Sequence, residues 1–199
     1  MKLPPQDAAR IEAQMAFLCE VDRLKSVVRA TTLCDGSRRE NSGEHSWHIA
    51  LYAMTLAEHA AADVDINRVI KMLLLHDIVE IDSGDNPIFG AADQSAVEAE
   101  EDAAALRIFG LLPAEQSHEF ITLWREFEAA KTPDAVFAKS LDRFQPPNQN
   151  LASGGGSWIE YDVSFETIEA RVGSKVARGA PGLWAYIKPK IQNWFAQNR

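Results

Sequence analysis

Two apolar segments of helical length decide the fold of this chain: EHSWHIALYAMTLAEHA over Glu44–Ala60 and RVIKMLLLHDIVEIDSGD over Arg68–Asp85. A short polar break at Asp63–Asn67 lies between them. Each segment carries imidazole or carboxylate groups where an apolar residue would be expected, and burying such a group without a partner costs about 2–7 kcal/mol. A bound metal ion would satisfy several of these groups at once. We therefore expect further ligands elsewhere in the chain.

Helical periodicity continues on both sides of these segments. Apolar residues recur every three or four positions over Asp7–Arg29, and the apolar segment Ile66–Ile81 predicts one long central helix. No segment shows the alternation of polar and apolar residues that is typical of strands joined by hairpin turns. The sequence predicts an all-α fold, a single helical bundle of about seven or eight helices.

Two stretches interrupt the helical pattern. Residues 30–43 are polar and contain the turn pair Asp35-Gly36, which predicts a surface loop. Pro146-Pro147 and the glycine-rich run that follows predict an irregular connection after a helix that begins at Thr132.

Length and composition predict one ordinary globular domain. The chain has 199 residues, of which 46% are hydrophobic and 25% charged, and this is too short for two sizeable independent cores. We expect a single domain over 1–199, with a metal-site core at about 42–145 and C-terminal helices at about 158–197 packed on it.

Charge and apolar patterning exclude several classes of protein. A net charge of −9 argues against binding to nucleic-acid polymers, whose phosphates attract clustered Lys and Arg. No apolar run approaches the roughly 20 residues that span a bilayer, and the N-terminus lacks a signal-peptide core. Two unpatterned cysteines, Cys19 and Cys34, do not form a disulfide framework. These features predict a cytoplasmic protein that does not bind membranes.

A metal site is predicted from three helices. His76, Asp77 and Glu80 lie along one edge of the Leu-rich third helix, His45 opens the preceding helix, and Asp142 interrupts an apolar helix face later in the chain. Two imidazoles and two carboxylates form a mixed nitrogen and oxygen donor set. Such a set suits one divalent manganese, cobalt, iron or zinc ion better than magnesium.

The strings ENSGEHSWHIAL, HDIVEIDSGD and AKSLDRFQP resemble the HD-domain metal-dependent phosphohydrolases. Within that family they look like the branch that contains the 5′-deoxynucleotidases and the HD domain-containing protein 2 group. The resemblance covers nearly the whole chain in element order. It implies metal ligands at His45, His76, Asp77 and Asp142. It also implies that Glu80 activates or positions water and that Asp85 is a second acid near the leaving group.

The resemblance also implies a phosphate-binding arginine. Arg29 matches that position, and Arg38 and Arg39 are further candidates for binding substrate phosphate because a guanidinium forks onto phosphate oxygens. The tryptophan that follows this arginine in the bacterial deoxynucleotidases is replaced here by Ala30. The resemblance therefore does not by itself imply selectivity for deoxyribose.

The predicted reaction is metal-dependent hydrolysis of (deoxy)nucleoside 5′-monophosphates to nucleoside and phosphate. One alternative keeps the fold but makes the protein an HD-type phosphodiesterase, another phosphate-ester hydrolase or a di-iron oxygenase; two tightly held iron ions would favour the oxygenase. A second alternative is a non-catalytic nucleotide-binding protein, which would bind nucleotide without turnover.

Three remaining features have simpler interpretations. The acidic run Glu98–Asp102 is expected to form a solvated helix face, and the alternative is that it contributes to a second cation site near the cleft. The aromatic residues Trp184, Trp194 and Phe195 are expected to pack in the core or to form a dimer surface, and we predict a homodimer. The GGGS run at 154–157 lacks the motif of a phosphate-binding loop and is interpreted as a flexible connection.

Overall fold

The computed structural model describes residues 4–90 and 93–198, with Gln94 described by its backbone alone. Residues 1–3, 91–92 and 199 of the predicted 1–199 domain lie outside this description. The helices are α1 Pro5–Val21, α2 Ser42–Thr55, α3 Ile66–Leu75, α4 Glu80–Ser83, α5 Gln94–Phe109, α6 Ala114–Ala129, α7 Pro133–Ala152, α8 Ser157–Glu160, α9 Phe165–Ile168, α10 Ser174–Gly179 and α11 Pro181–Asn198. The predicted all-α class is confirmed.

Short 3-10 and π-helical segments join several of these elements. They are 3-10 helices at Asp22–Ser26, Ala57–His59 and His76–Val79, and a π-helical segment at Glu169–Gly173 between α9 and α10. None of the described helices has the length and apolarity needed to cross a membrane.

Helix α7 is the centre of the bundle. It packs against the helices α2, α3, α6, α10 and α11. Its apolar face buries Phe137 and Leu141, which meet the buried Ile49 of α2 and Leu73 of α3 in one hydrophobic core. Thr132 caps its first turn and Pro133 follows, as the sequence predicts. The helices that carry the candidate ligands are therefore held side by side.

The expectation of a surface loop at residues 30–43 is wrong. The chain forms an antiparallel hairpin of β1, Val28–Thr32, and β2, Arg39–Asn41, with the predicted Asp35-Gly36 turn at its tip. The inward-facing residues Thr31 and Glu40 are polar. Because these short strands bury polar rather than apolar side chains, they lack the alternation that identifies a strand in sequence.

The third predicted helix is divided. Regular α-helix ends at Leu75, and His76–Val79 continue as a 3-10 helix before α4. His76 and Asp77 therefore lie on a tighter turn than the α-helix expected over Ile66–Ile81, because a 3-10 helix has about three residues per turn.

The irregular connection predicted at Pro146-Pro147 is wrong as well. Both prolines lie inside α7, which continues to Ala152. Neither proline can donate its backbone nitrogen to the helix, but side chains hold this part of α7 in place. Gln145 and Gln149 each donate to Glu40 at 2.9 Å. These contacts fasten this part of α7 to the hairpin.

The glycine-rich run after α7 is a packed turn rather than a flexible connection. Gly155 is buried with φ of 120°, and a Cβ there would lie 2.3 Å from the ring of Trp194. Trp194 in turn contacts Trp158 at 5.3 Å between ring centroids and Phe195 at 4.9 Å. The C-terminal aromatic residues thus pack against one another and against α8.

Gly155→Ala is expected to destabilise the fold by about 1–3 kcal/mol because the methyl group overpacks the Trp194 ring. The measurement is urea denaturation followed by circular dichroism. Gly154→Ala is the matched control, since Gly154 also has positive φ but no atom lies within 4 Å of a Cβ there. An equal loss in both variants would show that backbone strain, rather than contact with Trp194, dominates.

Candidate active site

Three predicted ligands converge from three elements. His45 lies in the first turn of α2, His76 opens the 3-10 helix after α3, and Asp142 lies in the middle of α7. All three are buried, and they offer ligand atoms within 4.8 Å of one another. Asp142 Oδ1 lies 3.2 Å from His45 Nε2 and 3.7 Å from His76 Nε2. One ion could be bound by these three residues.

Asp77, the fourth predicted ligand, borders this cluster. Its Oδ1 lies 2.8 Å from His76 Nε2, and its Oδ2 accepts a hydrogen bond from Arg29 Nη1 at 2.8 Å. One oxygen therefore faces the cluster while the other pairs with a cation. The role of Asp77 as a ligand stays a prediction.

Hydrogen bonding assigns the tautomer of His76. Its Nδ1 lies 2.8 Å from the carbonyl oxygen of Leu73, so we place the proton on Nδ1, where it is donated to this acceptor. Nε2 is then the nitrogen that can ligate an ion. It is buried beside Asp77 Oδ1, and no hydrogen bond of acceptable geometry satisfies it among the described residues. Metal-ligating histidines commonly use this arrangement, in which the second nitrogen is held by a backbone carbonyl or a carboxylate.

The electrostatics of the cluster favour a cation. Burial opposes a charge on His76, but the carboxylates of Asp77 and Asp142 outweigh it and raise the pKa of His76 to about 10. The site thus takes up a positive charge in the form of a proton when no metal is bound. The unpartnered Nε2 and the mixed nitrogen and oxygen donors fit a divalent ion in place of that proton.

Two further acids lie beside the cluster. Glu80, in the first turn of α4, accepts a hydrogen bond from Ser42 Oγ at 2.5 Å. Burial, together with the nearby carboxylate of Asp77, raises the pKa of Glu80 well above its usual value. Burial also raises the pKa of Asp85, against the opposing effect of Arg29. Acids with raised pKa values are suited to proton transfer near neutral pH.

Arg29 projects from β1 into the centre of these carboxylates. Besides its bond to Asp77, its Nη1 lies 3.8 Å from Glu80 Oε1 and 3.7 Å from Asp85 Oδ1. Its side chain is only 12% exposed. The hairpin, which the sequence did not predict, therefore places the predicted phosphate-binding cation directly beside the predicted metal ligands.

Most of these groups, though not His45, line one cavity with a volume of about 140 Å³. The lining combines charged groups, among them His76, Asp77 and Arg29, with the aromatic rings of Phe89 and Trp158. Apolar and aromatic walls with a few converging polar groups are typical of small-molecule sites.

The HD domain family model matches residues 21–184 of the chain. The chain belongs to the HD domain family. The match places all four predicted ligands of this HD domain within the family region.

Solved and curated relatives agree with this assignment. A protein from Magnetospirillum magnetotacticum, whose crystal structure is described as that of a predicted metal-dependent phosphohydrolase, is 44% identical, and the match covers 95% of this chain and 97% of that one with a TM-score of 0.88. The 5′-deoxynucleotidase HDDC2 is 26% identical in Danio rerio, with 68% of this chain and 66% of the relative covered. The human HDDC2 is 28% identical, with 65% and 62% covered. The chain thus matches less than two thirds of the length of these two curated relatives.

Arg38 and Arg39 are not brought to the cavity of the HD domain. Both lie on the exposed part of the hairpin, where Arg38 pairs with Glu44 and Arg39 pairs with Glu160, each at 2.6 Å. Neither lines the cavity. Their role in binding substrate phosphate stays a prediction, and the geometry favours Arg29 over them because the hairpin directs both towards solvent.

Two cations that the sequence analysis did not single out line the cavity instead. Lys139 and Arg143 line the cavity from α7, on either side of Asp142. Lys139 pairs with Glu128 at 2.9 Å and lies 4.0 Å from the centre of the Phe127 ring. Residues four apart share one face of a helix, so the spacing of these two cations around Asp142 is the sequence signal that could have identified them.

Glu40 is a site residue that the sequence reasoning missed. It lies on β2, is 1% exposed, and approaches His45 and Arg29. It stands in sequence between Arg39 and Asn41 in a polar stretch. Nothing in that stretch distinguishes a buried glutamate from a solvated one.

The expectation of a fully solvated acidic helix face over Glu98–Asp102 requires a correction. Glu101 lines the cavity, and its partial burial, together with the charge of Glu128, raises its pKa to about 7. The charge of Glu101 at this wall of the cavity therefore changes with pH in the neutral range.

Glu101→Gln is expected to flatten the pH dependence of stability. The pKa of Glu101 is higher in the folded state than in the unfolded chain, so protonation of Glu101 stabilises the fold. This stabilisation is fully present below the unfolded pKa of 4.5 and is lost as pH rises through about 7. The melting temperature of the wild type should therefore fall more between pH 5 and pH 8 than that of the variant. Glu100→Gln, at an exposed neighbouring position, is the control. Parallel pH profiles for wild type and Glu101→Gln would contradict the assignment.

Proposed function

We propose that this HD domain is a metal-dependent phosphohydrolase that converts (deoxy)nucleoside 5′-monophosphates to nucleoside and phosphate. The observation that carries the proposal is the buried cluster of His45, His76 and Asp142, which meets a cavity lined by His76, Asp142 and the buried Arg29. The relatives named 5′-deoxynucleotidases support the choice of substrate.

The cofactor we propose is one divalent ion, held by His45, His76, Asp77 and Asp142. Manganese, cobalt, iron or zinc suits these donors better than magnesium. Such an ion supplies Lewis acidity to the phosphoryl oxygens and lowers the pKa of water, so that a nucleophile is available at neutral pH.

The side chains of the HD domain provide the other parts of the reaction. Arg29 binds phosphoryl oxygens through its guanidinium, and Lys139 and Arg143 add positive charge at the wall of the cavity. Glu80, which lies beside the cluster and is held by a hydrogen bond from Ser42, takes the proton of the attacking water when it is ionised. Asp85 in its protonated form gives a proton to the leaving 5′-oxygen as the bond from phosphorus to that oxygen breaks.

The sugar and base are proposed to contact the aromatic part of the cavity lining. Ala30 lines the cavity where the bacterial enzymes of the resemblance have tryptophan, and Phe89 and Trp158 supply aromatic surface. The small alanine leaves discrimination between ribose and deoxyribose to other groups. A comparison of both sugar series therefore tests this part of the proposal directly.

The experiment is a phosphate-release screen. Protein stripped of metal and re-supplied with manganese or cobalt is incubated with ribonucleoside and deoxyribonucleoside 5′-monophosphates, 3′-monophosphates and cyclic nucleotides. Release from the 5′-monophosphates alone is expected. Hydrolysis of cyclic nucleotides instead would indicate a phosphodiesterase, and saturable binding without turnover under every metal would indicate a non-catalytic binding protein.

We also propose that the protein is a cytoplasmic homodimer. The proposal of the dimer is supported by Trp47, Leu51 and Met54, which form an exposed apolar row at helical spacing along α2. Cys19 and Cys34 are exposed and unpaired with each other, which fits a reducing compartment. Sedimentation equilibrium of the wild type tests the dimer, and a monomer at all concentrations would exclude it.

A further inference from the structure

Glu40 is a buried carboxylate whose two oxygens face different parts of the molecule. Its Oε1 accepts hydrogen bonds from Gln145 Nε2 and Gln149 Nε2, each at 2.9 Å. Both glutamines lie on α7, so Oε1 is fixed by the central helix. The carboxylate is therefore held in one orientation, and the direction of Oε2 is fixed with it.

The second oxygen, Oε2, is directed at the candidate active site. It lies 3.4 Å from His45 Nδ1 and 3.8 Å from Arg29 Nε. All three of these atoms are buried, and none has a hydrogen-bond partner among the described residues. A buried donor without an acceptor is costly. Glu40 Oε2 is the acceptor that faces both nitrogens.

Glu40 is an acceptor on geometric grounds. Its Oε1 accepts two amide N–H groups, and its Oε2 faces the Nε of Arg29, which can only donate. On the other side of the His45 ring, Asp142 Oδ1 lies 3.2 Å from Nε2, but Asp142 is itself a proposed ligand of the ion. When Nε2 and Asp142 both hold the ion, the proton of His45 is left on Nδ1, where Glu40 Oε2 faces it.

We propose that Glu40 is a positioning residue that holds the His45 proton on Nδ1, so that Nε2 is free to bind the divalent ion, and that orients the guanidinium of Arg29. The same carboxylate thereby links the metal-binding and phosphate-binding parts of the cavity. The inference rests on the proposed metal site but not on hydrolysis, so a metal-binding measurement distinguishes its failure from failure of the proposed function.

Glu40→Gln provides a specific test. The amide oxygen of the new side chain can still accept from Gln145 and Gln149, so its NH₂ group is turned towards His45 and Arg29. That group donates to His45 Nδ1, which moves the ring proton to Nε2 and blocks the ligand atom. Loss of a residue that supports a metal ligand lowers affinity by about 10–100-fold. We expect this loss in a calorimetric titration of metal-depleted, full-length protein with Co²⁺.

Glu44→Gln is the matched control. It makes the same chemical change one residue from His45, but Glu44 pairs with Arg38 at the surface, and glutamine preserves the capping box at the start of α2. This variant should bind Co²⁺ as the wild type does. If Glu40→Gln also bound Co²⁺ normally and only its melting temperature fell, Glu40 would be a purely structural link between β2 and α7, and the proposal would be overturned.

A second measurement does not depend on the folding of the variant. Nitrogen-15 NMR of the zinc-loaded wild type reports which imidazole nitrogen of His45 carries the proton. A protonated Nδ1 is expected, and a proton on Nε2 would refute the proposal.

The Arg29 part of the proposal has its own readout. At saturating Co²⁺, inorganic phosphate should bind Glu40→Gln several-fold more weakly than wild type, because the guanidinium has lost the acceptor that faces its Nε. Unchanged phosphate affinity would remove Arg29 from the proposal.

Discussion

Asp142→Asn is expected to lower both divalent-metal affinity and phosphate release by at least about 100-fold. Its Oδ1 is the atom that approaches both His45 Nε2 and His76 Nε2, so the substitution removes the negative charge from the centre of the cluster. Changes to residues that only support metal ligands already cost about 10–100-fold. The measurements are Co²⁺ titration and phosphate release from a nucleoside 5′-monophosphate at saturating metal.

Asp102→Asn is the control for this experiment. Asp102 pairs with Arg125 at the surface, and surface ion pairs contribute little to stability. The same chemical change there should leave metal affinity and turnover near wild type. Wild-type metal affinity in Asp142→Asn, with its circular dichroism spectrum unchanged, would show that the metal site has been assigned to the wrong residues.

Arg29→Met is expected to reduce the free energy of unfolding by about 3–5 kcal/mol, because removing one partner of a buried ion pair leaves uncompensated charge. Arg29 faces the carboxylates of Asp77, Glu80 and Asp85, and methionine fills a similar volume without a charge. Urea denaturation of the metal-free protein measures the loss. The affinity for inorganic phosphate should fall in the same variant.

Arg38→Met is the matched control for Arg29→Met. The Arg38 side chain is 54% exposed, against 12% for Arg29, and its pair with Glu44 lies in solvent. Little change in stability or phosphate affinity is expected. Equal effects in the two variants would mean that burial does not distinguish these arginines, and Arg38 would return as a substrate-binding candidate.

Polar residues inside apolar helices could be recognised from the sequence. His76 and Asp77 interrupt a Leu-rich helix, and Asp142 interrupts the apolar face that contains Phe137 and Leu141. The cost of burying such groups makes them visible without any structure. The structure brings His45, His76 and Asp142 together because α2, α3 and α7 pack side by side.

Residues of the β-hairpin could not be recognised in the same way. Arg29, Arg38 and Arg39 lie in or near one polar stretch, and only the pairing of β1 with β2 directs the first into the cavity and the other two towards solvent. Glu40 is buried in that same stretch. In a strand, neighbouring side chains point to opposite faces, so the register decides which charge is buried.

The sequence by itself determined the all-α class, the family resemblance and the set of candidate ligands, because helical periodicity and buried polar groups are local signals. Only the tertiary structure decided which cations reach the cavity. Arg29, Lys139 and Arg143 line it while Arg38 and Arg39 do not, and Glu40 joins His45 to Arg29. The physical reason is that in a polar hairpin a buried charged side chain looks the same in sequence as a solvated one, whereas the packing of the hairpin on α7 fixes the direction of Arg29 and Glu40.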